Sequence, residues 1–333
     1  MSGKATVMAP SNIAFIKYWG TRDLESTLPF NPSLSMTLSR CATRTTVECL
    51  GEIATDEVSV WTGTNGFEPA SEAFAAGVIE HLDRLRAWAG SDQHFRVATE
   101  NTFPMGTGLA SSASGFAALA LAVAAALDRE VSPQEASVLA RSSGSGSAAR
   151  SVIGGFVEWP AAGDESGAAV QFLAAEHWDL RDVIAVLDFE SKEISSREGH
   201  RRAPSSPYFE RRLQELPQRL ERVRRALSDR DFAELAQVME EEAIDLHLIA
   251  MSSRPPIFYW QPGTLEVLAA VRRLRRGGEN VCATMDAGAN VHLICTPTSE
   301  DRVVAELNTI ADVQDVIRDG VGRGPQSLEE HLF

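Results

Sequence analysis

The feature that most limits what this chain can fold into is the run NTFPMGTGLASSASGFAALALAVAAAL, Asn101 to Leu127. It reads as a strand that ends in a Gly-rich loop, and the loop opens a long helix of Ala and Leu. From Ala113 to Leu127 only Ser114 and Gly115 interrupt the apolar residues. That stretch falls short of the roughly 20 residues needed to span a bilayer, so it reads as a helix buried in protein. Its opening loop suits an anion. Glycines allow close backbone approach, and free N–H groups at the positive end of a helix dipole favour phosphate. Ser111 and Ser112 add hydroxyl donors, and one of them could touch a nucleotide-bound magnesium. The same residues would also serve as a small-residue helix start packed tightly on a neighbour. The loop is neither a Walker loop, lacking Gly-Lys-Ser/Thr, nor a dinucleotide fingerprint.

Around this run the chain alternates strand and helix signals. Val7 to Tyr18 reads as strand broken by Pro10 and Ser11. Ser33 to Leu38 and Thr43 to Leu50 read as two half-buried strands. Glu57 to Trp61 and Phe95 to Thr99 are further strands, with a helix over Ala70 to Trp88. Ser132-Pro133-Gln134-Glu135 supplies a cap, a first-turn proline and an acid, starting a helix that runs to about Arg141. Phe156 to Trp159 and Asp182 to Phe189 are extended, and Pro160 to Gly167 is a surface loop. Ser205 to Leu248 is helical and rich in arginines that read mostly as wet helix faces. Thr264 to Arg275 is helical. Val281 to Thr284 and Val291 to Cys295 are strands flanking MDAGAN, and Ser299 to Ile310 is the final helix. The second half thus resembles a split βαβ unit. A boundary near residue 180 gives two domains, 1–180 and 181–333, a division that 333 residues permit.

The formal net charge of −15 argues against nucleic-acid binding, which needs a basic surface. An anionic small substrate remains compatible, given a local positive pocket. The N-terminal Met-Ser-Gly-Lys leads into a short mixed segment, so no secretory leader is expected. Cys41, Cys49, Cys282 and Cys295 lack paired metal spacing and read as reduced thiols in a cytoplasm. His177, His200, His247 and His292 show no metal pattern and read as ordinary surface or core residues.

Three more stretches carry chemistry. SGSGSAAR places Ser145 and Ser147 between glycines, with Arg150 three residues on. An arginine there can clamp a carboxylate with two parallel hydrogen bonds, or lie solvated beside a surface loop. MDAGAN sets Asp286 at a strand end before a glycine turn. A carboxylate so placed can accept a proton or orient a hydroxyl, although Asp, Gly and Asn also simply form turns. NIAFIKYWGTRD ends an apolar run in Lys17, one of only three lysines beside Lys4 and Lys192. Lys17 can reach a phosphate or close a salt bridge, and Tyr18 and Trp19 can be core aromatics.

Together NIAFIKYWGTRD, NPSLSMTL, FPMGTGLASSASGFAALA, GSGSAARSVIGGFVEW, PPIFY and MDAGAN, in this order, resemble the mevalonate diphosphate decarboxylases. These sit in the wider family of galactokinase, homoserine kinase, mevalonate kinase and phosphomevalonate kinase relatives. The resemblance covers nearly the whole chain, and KYWG with MDAGAN points to the decarboxylase branch. It implies a two-domain α+β small-molecule-kinase fold. The N-terminal half would carry a left-handed βαβ crossover and bind nucleotide. The C-terminal half would be ferredoxin-like, with the active site in the cleft between them. It implies a homodimer that uses ATP and Mg2+ to phosphorylate the 3-hydroxyl of a 5-phosphorylated mevalonate, followed by loss of phosphate and CO2 to an alkene in isoprenoid biosynthesis.

By the same resemblance Asp286 would orient or deprotonate the 3-hydroxyl, Arg150 would hold the C1 carboxylate, and Lys17 would complete the catalytic set. Tyr18, Thr21, Ser145, Ser147, Ser196 and Arg197 would contact substrate. Asn101, Gly106, Gly108, Leu109, Ala110, Ser111, Ser112 and Lys192 would hold the nucleotide, with Ser112 on its magnesium. The chain departs from the pattern at Thr21, where many diphosphate-using members read KYWGK, and at Thr107, where PMGTG replaces PTAAG. Losing a lysine matters most for a ligand with two phosphates. Thr21 therefore suggests a pocket trimmed for mevalonate 5-phosphate and isopentenyl phosphate as product. Arg22, Lys192 or Arg197 could compensate. The rivals are mevalonate 5-diphosphate decarboxylase, a mevalonate 3-kinase-type enzyme, and a non-catalytic metabolite-binding protein.

Overall fold

The computed structural model describes residues 3–51, 55–63, 65–103, 111–160, 166–189 and 193–333. In chain order its strands are β1 Lys4–Ile16, β2 Thr21–Asp23, β3 Leu28–Pro29, β4 Ser33–Gly51, β5 Glu57–Trp61, β6 Phe67–Pro69, β7 His94–Asn101, β8 Phe156–Trp159, β9 Val170–Leu173, β10 Arg181–Val186, β11 Val281–Thr284, β12 Val291–Cys295, β13 Asp315–Gly320 and β14 Gln326–Leu328. The helices are α1 Glu72–Ala89, α2 Ser111–Ala126, α3 Pro133–Arg141, α4 Ser196–Arg202, α5 Phe209–Asp229, α6 Phe232–Ser252, α7 Pro262–Arg276 and α8 Glu300–Leu307.

Two sheets organise these elements. The first has the order β14-β1-β4-β7-β5-β6, with β8 also on β4 and β9 on β8. β5 and β7 run parallel, and the chain between them contains β6 and α1. The second sheet, β11-β12-β10-β13, is antiparallel throughout. The Ala-rich helix α2 lies against β1 and β4. Ala113, Ala117, Ala118, Ala122 and Val123 are each fully buried. Small side chains let this helix approach the sheet closely, and its lack of a polar face leaves no alternative to burial. A second core lies between the other sheet and α7 and α8, with Val183, Val271, Leu293 and Val303 all buried.

The strand at Pro10 and Ser11 is not broken. β1 runs through with a register shift between Pro10 and Asn12, because proline has no N–H to donate and the ladder skips a rung. The two strands read over 33–50 are one strand, β4, whose first half pairs with β8 and second half with β7. Where it passes between partners, the Asp319 carboxylate accepts the N–H groups of Ser39, Arg40 and Cys41 at 2.7–3.0 Å. β13 and β14 follow what reads as the last element in sequence, and their short polar strands carry little periodic signal. The arginines of α5 are not all wet: the Arg212 side chain is 2% exposed and that of Arg219 14%.

All four cysteines are buried free thiols. Among the described residues, no helix is long and apolar enough to cross a membrane, and no His/Cys/Asp/Glu group is arranged to hold a metal.

Candidate active site

Lys17 follows the end of β1 and is 1% exposed, with Nζ 2.8 Å from Asp286 Oδ1. Asp286 lies in the turn between β11 and β12, where the Gly288 N–H donates to its carbonyl at 2.8 Å. Asn290, ending that turn, accepts the Leu187 N–H at 2.6 Å and the Asp188 N–H at 3.1 Å. The turn is thereby fastened to the end of β10. Burial opposes ionisation of Asp286. The charge and hydrogen bond of Lys17, with His292 and Arg150, outweigh it and hold the carboxyl below its ordinary range. Burial also lowers Lys17, which Asp286 only partly offsets. Arg150 is 3% exposed, and burial brings it down to about 10 against the pull of Asp286 and Tyr18. Its guanidinium donates to Asn12 Oδ1 at 3.0 and 3.1 Å and to Ser33 Oγ at 2.5 Å.

Beside this pair lies a cavity of about 230 Å³, lined by Tyr18, Thr21, Ser112, Ser145, Ser147, Ser196, Arg197 and His200 among others. Tyr18 Oη and Thr21 Oγ1 are 2.5 Å apart, and burial pushes the Tyr18 phenol up to about 12. Ser145 and Ser147 hydroxyls lie 3.3 Å apart. A Cβ on Gly146 would come within 2.6 Å of both the Tyr18 and Trp159 rings, so this loop's glycine admits the aromatic wall. Lys17, Arg150 and Asp286 do not line this cavity.

A second cavity of about 300 Å³ sits between α1, α2, β4 and β7. Phe74, Val78, Phe116 and Leu119 give it apolar walls, and Asn101, Ser111 and Ser112 line it with polar groups, the serines from the start of α2. Gly77, Ser112 and Phe116 line both cavities, so the two adjoin. Gly106, Gly108, Leu109, Ala110 and Lys192 lie outside the described residues.

Sequence reasoning passed over His200. Its ring stacks on Tyr18 at 4.0 Å between centroids, and its Nδ1 accepts the Gly20 N–H at 3.0 Å. The spacing of four from Ser196 was the available signal, since it puts both on one helix face. His247 and His292 are buried as well; His292 Nδ1 pairs with Asp182 Oδ2 at 2.7 Å.

The family model for the diphosphomevalonate decarboxylase-like N-terminal domain matches residues 9–170. That for the mevalonate 5-diphosphate decarboxylase C-terminal domain matches residues 182–328. A diphosphomevalonate decarboxylase of Candida albicans is 32% identical, over 98% of this chain and 99% of the relative. A phosphomevalonate decarboxylase of Haloferax volcanii is 33% identical over 98% of each chain. The solved mevalonate diphosphate decarboxylase of Staphylococcus aureus aligns at a TM-score of 0.92 and 32% identity, over 99% of each chain. A structure described as MDDEF in complex with MVAPP, AMPPCP and magnesium aligns at 0.90 and 32%, over 99% of this chain and 100% of the other. Fold and motifs together define an enzyme, an ATP-dependent carboxy-lyase with a two-domain mixed α/β architecture. The chain belongs to the mevalonate diphosphate decarboxylase family.

Proposed function

We propose that this enzyme decarboxylates (R)-mevalonate 5-phosphate to isopentenyl phosphate, with ATP and Mg2+, in isoprenoid biosynthesis. The observation that carries this reading is Thr21. It lines the cavity as a neutral hydroxyl engaged by Tyr18. Among the described residues lining that cavity, Arg197 is the one permanent cation and Glu80 the one acid. One arginine matches one phosphate better than two, because each added phosphate calls for a further charge-assisted contact. A relative named phosphomevalonate decarboxylase matches along the whole chain. The second reading, mevalonate 5-diphosphate decarboxylase, is favoured by the greater number of relatives with that name.

The residues divide the work by chemistry. Asp286, kept ionised by Lys17, would hold or accept the proton of the 3-hydroxyl. Arg150 would face the C1 carboxylate with its remaining N–H groups, and Ser145, Ser147, Ser196 and Arg197 would position the substrate. ATP suits the second cavity: its apolar slot fits a flat base, and the start of α2 presents Ser111 and Ser112 to phosphates. Ser112, shared by both cavities, is placed for the nucleotide's magnesium, and Asn101 for the nucleotide itself. When bound, ATP with magnesium supplies the phosphoryl group that turns a tertiary hydroxyl into a leaving group.

The same reading takes β5, α1 and β7 as the left-handed βαβ unit of a nucleotide-binding domain spanning 1–180. It takes β10 to β13, in the order β11-β12-β10-β13, as a ferredoxin-like domain spanning 181–333, and the working unit as a homodimer. With purified protein, ATP, magnesium and mevalonate 5-phosphate, ADP and CO2 are expected in equal amounts. Faster initial rates with the diphosphate would select the second reading. ADP without CO2 would replace both with a 3-kinase.

A further inference from the structure

Beside the Lys17–Asp286 pair the main chain of Lys17 meets helix α6. Lys17 lies beyond the end of β1, so the sheet ladder does not satisfy its backbone. Its N–H donates to Glu242 Oε1 at 3.2 Å, and its carbonyl accepts from Arg212 Nη2 at 2.9 Å and Asn31 Nδ2 at 3.0 Å. Glu242 and Arg212 are joined to each other and are 0% and 2% exposed. Arg219 adds a contact to Glu242 at 2.9 Å and to Asp245 at 2.6 Å. Five residues after Glu242 on α6, roughly 7.5 Å along the axis, is His247. It is 1% exposed and lies near both Lys17 and Asp286. The ring is wedged by Trp260 and Tyr259, with centroids 5.1 and 6.1 Å away.

A buried ion pair is a poor device for stability alone, since apolar side chains of similar volume usually do as well. This one meets polar groups that apolar side chains would leave stranded, at the residue whose ammonium must meet Asp286. We propose that α6 sets the position of the Lys17 ammonium against the Asp286 carboxylate: Glu242, with Arg212, fixes the main chain of Lys17. Both are positioning residues. The inference rests on the catalytic reading of Lys17 and Asp286 given above.

The test is the double variant Arg212→Met/Glu242→Leu, which exchanges the ion pair for apolar bulk and leaves Arg219 its contact with Asp245. Beside it stands Asn31→Leu, which drops a further hydrogen bond to the Lys17 carbonyl. Each is measured for thermal unfolding, KM and kcat by ADP release, alone and combined with Lys17→Met. The expected result is a folded protein with KM for ATP within about threefold and kcat down about 10- to 100-fold. On the Lys17→Met background the same changes cost less than about threefold, because the geometry they maintained no longer matters. A kcat within about twofold of the parent in either folded variant overturns the proposal, as do equal losses on both backgrounds. If the double variant does not fold, Asn31→Leu decides by the same two outcomes. A Lys17→Met protein with unchanged kcat overturns instead the catalytic reading beneath it.

Discussion

Lys17 and Thr21 stand four residues apart in one short stretch, and their settings differ sharply. Lys17 is held at its N–H by Glu242, at its carbonyl by Arg212 and Asn31, and at its ammonium by Asp286. Thr21 is partly exposed, and its hydroxyl meets Tyr18 at the wall of an open cavity. The residue proposed for the chemistry sits in a lattice of partners, where one substitution strands several polar groups. The wall that would meet the 5-phosphate is lightly furnished, so a single side chain can alter what it accepts. A family can therefore keep one reaction and vary its substrate at such a wall.

The comparison breaks at its strong side if Asp286 proves dispensable. Asp286→Asn removes the group that Lys17 holds ionised, and kcat for ADP release at saturating ligands is expected to fall about 10³-fold. The lattice itself is tested by Glu242→Ala, which strands buried Arg212 without its carboxylate. Urea unfolding should show a loss of about 3–5 kcal/mol, whereas Thr21→Ala should change stability by less than about 0.5 kcal/mol. Equal losses at the two positions would erase the contrast.

A third expectation concerns the helix pair behind the cavities. His81 packs against Phe116, which lines both, and burial lowers its imidazole from 6.5 to about 3. The unfolded chain takes up this proton first as pH falls. The associated stability is complete above pH 6.5 and is lost as pH drops toward 3. By pH 5 the loss is about 2 kcal/mol. His81→Leu should give a flatter dependence of Tm on pH between about 7 and 4, and an unchanged slope would remove His81 from the account. Smaller still is Ser112→Ala, expected to raise KM for ATP about tenfold through one lost hydrogen bond to a charged group. Its effect on the KM of the mevalonate substrate should be less.

How much was readable beforehand follows the same division. KYWG, the Ser/Gly loop and MDAGAN are local signatures, in which turn residues and the reactive side chain sit side by side. The resemblance put Lys17 and Asp286 in one catalytic set, but their direct contact, 269 residues apart in sequence, is visible only in the structure. Helix α2 was legible because an all-apolar helix has no choice but burial. The lattice was not. Arg211 and Arg212 are adjacent and chemically identical, yet their side chains are 72% and 2% exposed. Only the packing of α5 and α6 against the end of β1 separates them. His200 and His247 were read as unremarkable for the same reason: a histidine's role is set by the rings and main chain around it. β4 was split in two because Asp319, distant in sequence, supplies the acceptors that let the strand continue.

The most direct measurement is the ratio of kcat/KM for mevalonate 5-phosphate to that for mevalonate 5-diphosphate, in the parent and in Thr21→Lys. The account predicts a parent that favours the monophosphate and a variant whose ratio moves toward the diphosphate by about tenfold or more, with kcat on the monophosphate little changed. A parent that favours the diphosphate, with a ratio unmoved by the added lysine, would contradict it.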